Sequence, residues 1–420
     1  MKSIKPIKRI NATVRVPGSK SYTQRALIAA SLADGKSVIR EALISEDTQH
    51  LIKALGLLGA TIDREGCDLT VQGTGGKPTA PSQIIYLGNN GTGLRLLTST
   101  VCLGHGTFVL DGDNRMRQRP IQPLVDALKT MGVEAACVEG NGCPPVEVHA
   151  RGLSGGKTQL AAKLSSQYLS SLLLAAPYAG KDTSIELLGP LPSRPYVQMT
   201  MDVMSGFGVE VAVRQDSLFC VKAPQAYGSR EYVVEGDASS ATYFMAAAAI
   251  CGGSVRISNI KAGSFQGDLR FLEILDTMGC TVAASGEGVE ITGPLSNHDD
   301  LSFDLNDAPD MVPALAVVCA FRKGKTALKN IGHLRIKESD RVAALTRELR
   351  KIGAKAEEKA DEMIVQGVAT HGAEIDCYND HRIAMSFAIA GLAIEGLVVK
   401  DPDCVGKSFP DFWEKLEALG

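Results

Sequence analysis

Aromatic side chains are scarce in this chain: it has one tryptophan, and Phe, Trp and Tyr together make up 5% of its 420 residues. Acidic and basic residues almost cancel, 47 against 44, leaving a formal charge of −3. A protein short of both stacking rings and basic surface is poorly equipped to hold nucleic acid or an anionic membrane. Any anion site must therefore be built locally. Long apolar runs are missing too. None approaches the ~18 residues of a membrane span, and the basic opening MKSIKPIKRINATVRV has no apolar h-region behind it. These absences predict a cytoplasmic protein with no nucleic-acid or membrane partner. The ten cysteines form no C-x-x-C pair and no cluster with histidine at metal-ligand spacing, so they read as reduced, mostly buried thiols with no metal site. Nucleotide-phosphate loops are lacking as well. Ahead of the G-K-[ST] triplets at Gly156, Gly324 and Gly406, the place of the first Walker glycine is held by Arg151, Cys319 and Asp401.

What the chain does contain is one unit repeated six times. Each copy opens with a polar cluster and an apolar stretch: SKSYTQRALIAASLA, NNGTGLRLLTSTVCLG, SSQYLSSLLLAAPYAG, DASSATYFMAAAAICGG, NDAPDMVPALAVVCAF and NDHRIAMSFAIAGLA. Each later carries an amphipathic stretch that closes on glycine, at Gly59, Gly132, Gly208, Gly279, Gly353 and Gly420. The period of roughly 70 residues exceeds the about 20–50 of solenoid repeats, so each copy is a small folding unit. The closing stretches have the 3.6-residue stripe of surface helices, whereas the opening stretches are apolar nearly all round and predict buried helices. Runs such as KSVIRE, ATID, DLTVQG, GVEVAV and FCVKA alternate and read as strands with one wet face. An α/β fold follows, with helices innermost and sheets outside, three units to a domain. Lys5 to Val16 reads as strand before the first unit. The chain is therefore expected to begin in one domain (1–17 plus 231–420), visit the other (18–230) and return.

All six buried helices begin with polar or charged residues, where unpaired N–H groups and the helix dipole favour an anion. If both domains turn those ends to one cleft, an acidic protein acquires an anion-attracting space. Lys20, Arg25, Arg95, Arg119, Arg194, Lys337, Arg341, Arg382 and Lys407 lie near these ends. Singly, each reads as a solvated surface charge. As a set beside Gly, Ser, Asn and Pro at element junctions, they read as a ligand site. Ser165, Ser166 and Gln167 admit two readings, helix cap or ligand contact, and Gly91 with Asn89 lies in a stretch that also reads as a plain turn. Asp310, Glu338 and Asp340 are the acids placed to move protons. Their bland alternatives are a helix cap for Asp310 and a surface ion pair with Lys337 for Glu338. His381, between Asp380 and Arg382, reads equally as an ordinary hydrogen-bonded histidine.

PGSKSYTQRAL, LGNNGTGLRLL, RMRQRPIQPLVDAL, LSSQYLSSLLLAAP, SRPYVQMTMDVM, EGDASSATYF, IKESDR, YNDHRIAM and VGKSFPD follow one another over nearly the whole chain. In that order they resemble the motifs of the 5-enolpyruvylshikimate-3-phosphate synthase family. The resemblance implies a two-domain inside-out α/β barrel of six βαβαββ-like units with its active site in the interdomain cleft. It implies transfer of the enolpyruvyl group of phosphoenolpyruvate to the 5-hydroxyl of shikimate 3-phosphate, with release of phosphate and no metal or cofactor. It also implies small-molecule partners only, for a monomer. Carried over residue by residue, Lys20, Ser21, Arg25, Ser165, Ser166, Gln167, Ser193, Tyr196, Asp310 and Lys337 resemble the shikimate-phosphate contacts. Lys20, Asn89, Gly91, Arg95, Arg119, Gln167, Glu338, Arg341, His381, Arg382 and Lys407 resemble those around phosphoenolpyruvate. Asp310 takes the part of base and Glu338 that of acid, with Lys20 close enough to share proton traffic.

Two departures stand out. His333 occupies a place where many relatives carry Asn, and Asn90 one where Ala is frequent, which bears on the response to glyphosate. The sibling transferase acting on UDP-N-acetylglucosamine usually has a cysteine five residues before the Arg-Pro of its second unit; here Asn114 stands before Arg119-Pro120. A fold relative that cyclises RNA 3′-phosphates would need a reactive histidine and nucleic-acid affinity, which the composition does not favour.

Overall fold

A computed structural model describes residues 1–286, 288–297 and 299–420. The chain divides into two compact units, one formed by Met1–Pro17 with Glu235–Gly420 and the other by Gly18–Val234. Six helix pairs follow the six sequence repeats. In the unit Gly18–Val234 they are α1 (Lys20–Leu32) with α2 (Glu46–Leu57), α3 (Gly91–Thr100) with α4 (Gln122–Thr130), and α5 (Gln167–Ala175) with α6 (Pro195–Gly206). In the other unit they are α7 (Ala238–Cys251) with α8 (Arg270–Thr277), α9 (Val312–Cys319) with α10 (Arg341–Lys351), and α11 (His381–Gly391) with α12 (Phe412–Glu417).

The first helix of each pair is the buried one. Every residue of α9 and α11 is buried, as is α7 from Ala238 to Ala249. The second helix buries a stripe, such as Leu51, Ala54 and Leu55 of α2, each fully buried leucine contributing about 1.5–3 kcal/mol. The period-3.6 pattern thus sets the layer in which each helix lies. Gly59, Gly132, Gly208, Gly279 and Gly353, which close α2, α4, α6, α8 and α10, all have φ between +83° and +101°. That region is open to glycine and strained for other residues.

Sheets cover the helical cores and repeat one pattern. In the unit Gly18–Val234, Ile85–Tyr86 pairs parallel with His105–Asp111, which pairs antiparallel with Val146–Arg151, itself antiparallel to Glu134–Cys137. The other four-stranded sheets copy this order. With α3 and α4 between its strands, the unit reads β-α-β-α-β-β.

Strands from distant parts of the chain complete the first, fourth and last copies. Glu231–Val233 is the parallel partner of Lys36–Arg40. In the other unit Ile10–Val14 pairs parallel with Gly253–Ile257, and Lys2–Ser3 pairs antiparallel with Val398–Val399. The pairing of Glu231–Val233 corrects the expected boundary at 230/231: those residues belong to the sheet of Gly18–Val234, and the return crossing falls between Val234 and Glu235. No described helix is long and apolar enough to cross a membrane.

Candidate active site

Within Gly18–Val234 the starts of α1, α3 and α5 are tied to one another. Lys20 opens α1, and its Nζ lies 3.0 Å from Asp47 Oδ2 in α2. The Asp47 carbonyl accepts from Asn90 Nδ2 (2.7 Å), while Asn90 Oδ1 caps α3 by accepting the Gly93 N–H (2.8 Å). Arg95 donates to Gln167 Oε1 at the head of α5 (2.6 Å) and to the Pro120 carbonyl (2.9 Å), and Gln167 Nε2 donates to Thr92 Oγ1 (2.9 Å). Arg119 Nη1 reaches both the carbonyl and the side-chain oxygen of Asn89 (3.1 and 2.9 Å). Its guanidinium lies against Gly91, where a Cβ would stand 2.6 Å from Nη2; glycine is needed for that approach. Arg119 Nε is buried without a hydrogen-bond partner. Ser165 Oγ accepts the Gln167 N–H (3.2 Å), whereas Ser166, also buried, makes no side-chain cap.

Arg25 is the most telling residue of this cluster. It lies one helical turn after Ser21, is 1% exposed, and donates to the Ser21 carbonyl (2.9 Å), the Tyr196 carbonyl (3.1 Å) and Thr200 Oγ1 (2.7 Å). All these acceptors are neutral. Burial pulls the guanidinium down to about 10. A cation out of water and hydrogen-bonded to neutral oxygens is held at a cost that an arriving anion relieves. Ser193, buried at φ +56°, precedes Tyr196 in the turn that leads into α6.

The other unit brings together the starts of α7, α9 and α11. Asp310 lies in the turn Pro309–Met311 ahead of α9. It does not cap that helix: its carboxylate accepts from Arg341 Nη1 (3.1 Å) and Arg382 Nη2 (2.9 Å). Burial favours its neutral form, but the charges of Arg382, Arg341 and Lys337 outweigh burial and hold the carboxyl well below the usual range. Arg341, 1% exposed, also donates to Glu338 Oε2 (2.8 Å) and to both oxygens of Asp380 (2.8 and 3.2 Å). Burial opposes its charge, yet Asp380, Glu338 and Asp310 raise its pKa above the ordinary value. Asp380 caps α11 by accepting the Arg382 N–H (3.0 Å), and Arg382 Nη1 approaches Tyr243 Oη of α7 (3.5 Å).

Around this core, Lys407 is buried at the end of the turn Pro402–Lys407, and Lys337 is half-buried after the turn Gly332–Ile336. His381 is fully buried beside Asp380. His333 is pushed down to about 4 by burial and by Lys337 and Arg341, so it is neutral near pH 7. Two candidates resolve to ordinary roles. Asp340 caps α10 (Ala343 N–H, 3.0 Å) and pairs with Arg335, and Arg194 pairs with exposed Asp216.

A model of the family described as EPSP synthase (3-phosphoshikimate 1-carboxyvinyltransferase) matches residues 4–416. A protein of that enzyme name from Syntrophobacter fumaroxidans is 44% identical over 422 residues, covering 100% of this chain and 99% of its own. One from Escherichia coli is 41% identical, covering 99% and 98%. The solved EPSP synthase of Acinetobacter baumannii superposes with a TM-score of 0.82 at 29% identity, covering 100% of this chain and 98% of that one. The chain belongs to the EPSP synthase family. It is a transferase that places a carboxyvinyl group on 3-phosphoshikimate, and its mixed α/β architecture is the two-domain inside-out fold.

Several residues of these clusters do not stand out in the sequence. Asp47, the partner of Lys20, had a signal in SEDTQ, which reads as a helix start. Asp380, which fixes Arg341, stood beside the flagged His381. Thr200 and Asp268 gave none. Asp268 is buried and accepts from Ser239 Oγ, and its Oδ1 has no hydrogen-bond partner. Burial and the neighbouring Asp310 charge push it up to about 7.

Proposed function

We propose that the two clusters act on one pair of substrates, phosphoenolpyruvate and shikimate 3-phosphate. The observation that carries this reading is the buried Arg25 guanidinium bonded to neutral oxygens beside the start of α1, a seat for a substrate phosphate. Lys20, Ser21, Arg25, Ser165, Ser166, Gln167, Ser193 and Tyr196 hold shikimate 3-phosphate from one unit, and Asp310 and Lys337 from the other. Lys20, Asn89, Gly91, Arg95, Arg119 and Gln167 hold phosphoenolpyruvate together with Glu338, Arg341, His381, Arg382 and Lys407.

Asp310 takes the proton of the 5-hydroxyl as its oxygen attacks the enol carbon, and Glu338 gives a proton to the methylene. Collapse of the tetrahedral adduct returns a proton from the new methyl group, re-forms the C=C bond and breaks the C–O bond to phosphate, whose charge Arg119, Arg341, Arg382 and Lys407 receive. Held by two arginines, Asp310 is a weak base. A phosphate that competes for Arg341 and Arg382 weakens their pull and raises its basicity. The protein works as a cytoplasmic monomer, without cofactor, on small molecules alone. Mixing it with both substrates is expected to release inorganic phosphate, and either substrate alone to release none. Absence of release from folded protein, or release without shikimate 3-phosphate, overturns the assignment.

A further inference from the structure

The turn ahead of α11 has an uncommon backbone. The Asp380 N–H donates to the Cys377 carbonyl (2.9 Å), and the two residues between them, Tyr378 and Asn379, have φ of +55° and +52°. A turn with both central residues left-handed favours glycine and asparagine, and a side chain as bulky as that of tyrosine is strained there. Such strain persists only where surrounding contacts hold it.

Here the holding group is Glu348 of α10. Tyr378 Oη donates to Glu348 Oε1 (2.6 Å), while Oε2 accepts the Asp376 N–H (3.1 Å) and pairs with Lys351 Nζ (2.7 Å). Glu348 is fully buried, and a buried carboxylate is retained only with donors of this kind around it. The Arg347 guanidinium lies over the Tyr378 ring, 5.6 Å from its centre. Glu348 and Arg341 stand about two helical turns apart on one face of α10. That face grips the turn twice, at Tyr378 through Glu348 and at Asp380 through Arg341 (2.8 and 3.2 Å).

We propose that Tyr378 is a positioning residue of the transferase reaction. Anchored on Glu348, it holds the left-handed turn and so sets where Asp380 lies. Asp380 in turn bonds Arg341 and accepts the Arg382 N–H (3.0 Å) at the start of α11. Tyr378 reaches the reaction only through these residues. Strain in such a turn is of the same order as a hydrogen bond to a charged group, so loss of the Tyr378 hydroxyl frees the turn. Displacements of about 1 Å cost on the order of 10²-fold in rate. The effect on rate rests on the roles proposed above for Arg341 and Arg382; the hold on the turn does not.

The test compares Tyr378→Phe, which loses the hydrogen bond and keeps a strained side chain, with Tyr378→Gly, which loses both, since glycine takes positive φ without strain. Activity is read in the full chain as kcat for phosphate release per folded molecule, and the turn as hydrogen–deuterium exchange of the Asp380 amide. Tyr378→Phe is expected to speed that exchange and to lower kcat, each by about tenfold or more. Tyr378→Gly is expected to recover kcat to within about threefold of the unsubstituted protein. Ring packing alone predicts the reverse order, with Tyr378→Gly the worse variant, and that order overturns the proposal. Unchanged exchange in Tyr378→Phe overturns it too. Faster exchange with undiminished kcat overturns the positioning role, and Asp380→Asn then locates the fault: an impaired variant places it in Tyr378, a fully active one in the roles proposed for Arg341 and Arg382.

Discussion

At the scale of single residues, the chemistry turns on how cations and carboxylates share one another. Arg341 is bonded to Asp310, Glu338 and Asp380 at once. Asp310 and Glu338 are therefore both held by one guanidinium, and in the proton roles proposed for them such preorganisation would lower the cost of reaching the transition state. Asp310→Asn and Glu338→Gln are expected to lower kcat by about 10²–10⁴-fold, the usual range for a general acid or base. Steady-state phosphate release checks this, with circular dichroism to confirm folding. A variant of near-normal rate would remove that residue from the proton chemistry. Both residues stand out in the sequence motifs, but their sharing of Arg341 does not: Asp380 and Asp268 reach this cluster through folding of distant segments.

At the scale of elements, Asp268 makes the unit formed by Met1–Pro17 and Glu235–Gly420 sensitive to pH. Its folded pKa is pushed up to about 7, against an unfolded value of about 4. Between those values the folded chain holds a proton that the unfolded chain has released, so stability from this group falls as pH rises from about 4 to 7. Asp310 acts in the opposite sense. Its depressed pKa contributes stability above pH about 4 that is lost as pH falls below it. Asp268→Asn is expected to bring the urea midpoints at pH 5 and pH 7.5 closer together than in the unsubstituted protein. An unchanged gap would mean that Asp268 does not titrate in this window.

The helices themselves were legible in the chain. An all-round apolar stretch such as ASSATYFMAAAAIC has one stable place, the interior, and a stripe closed by glycine has another, the surface. The strand at Glu231–Val233 was not legible as part of the preceding unit. Its three residues carry no pattern that names Lys36–Arg40, about 190 positions earlier, as their partner. Asp310 kept two readings for the same reason: capping is a local property, whereas pairing with Arg341 and Arg382 depends on three helices meeting.

At the scale of the whole molecule, each unit gathers three helix N-termini and a set of cations. Asp310, Glu338, Lys337 and Lys407 belong to one unit, and Lys20, Arg25, Arg119 and Gln167 to the other. A net-acidic protein can draw in two phosphorylated molecules because these charges are concentrated locally. The function proposed above predicts that shikimate 3-phosphate binding depends on residues of both units. Its most direct test is calorimetric titration of shikimate 3-phosphate into the unsubstituted protein, Arg25→Gln and Lys337→Met. Shared use predicts that each substitution weakens binding by about 10–100-fold, the worth of a hydrogen bond to a charged group. Unchanged affinity in either variant, with the fold intact, would contradict it.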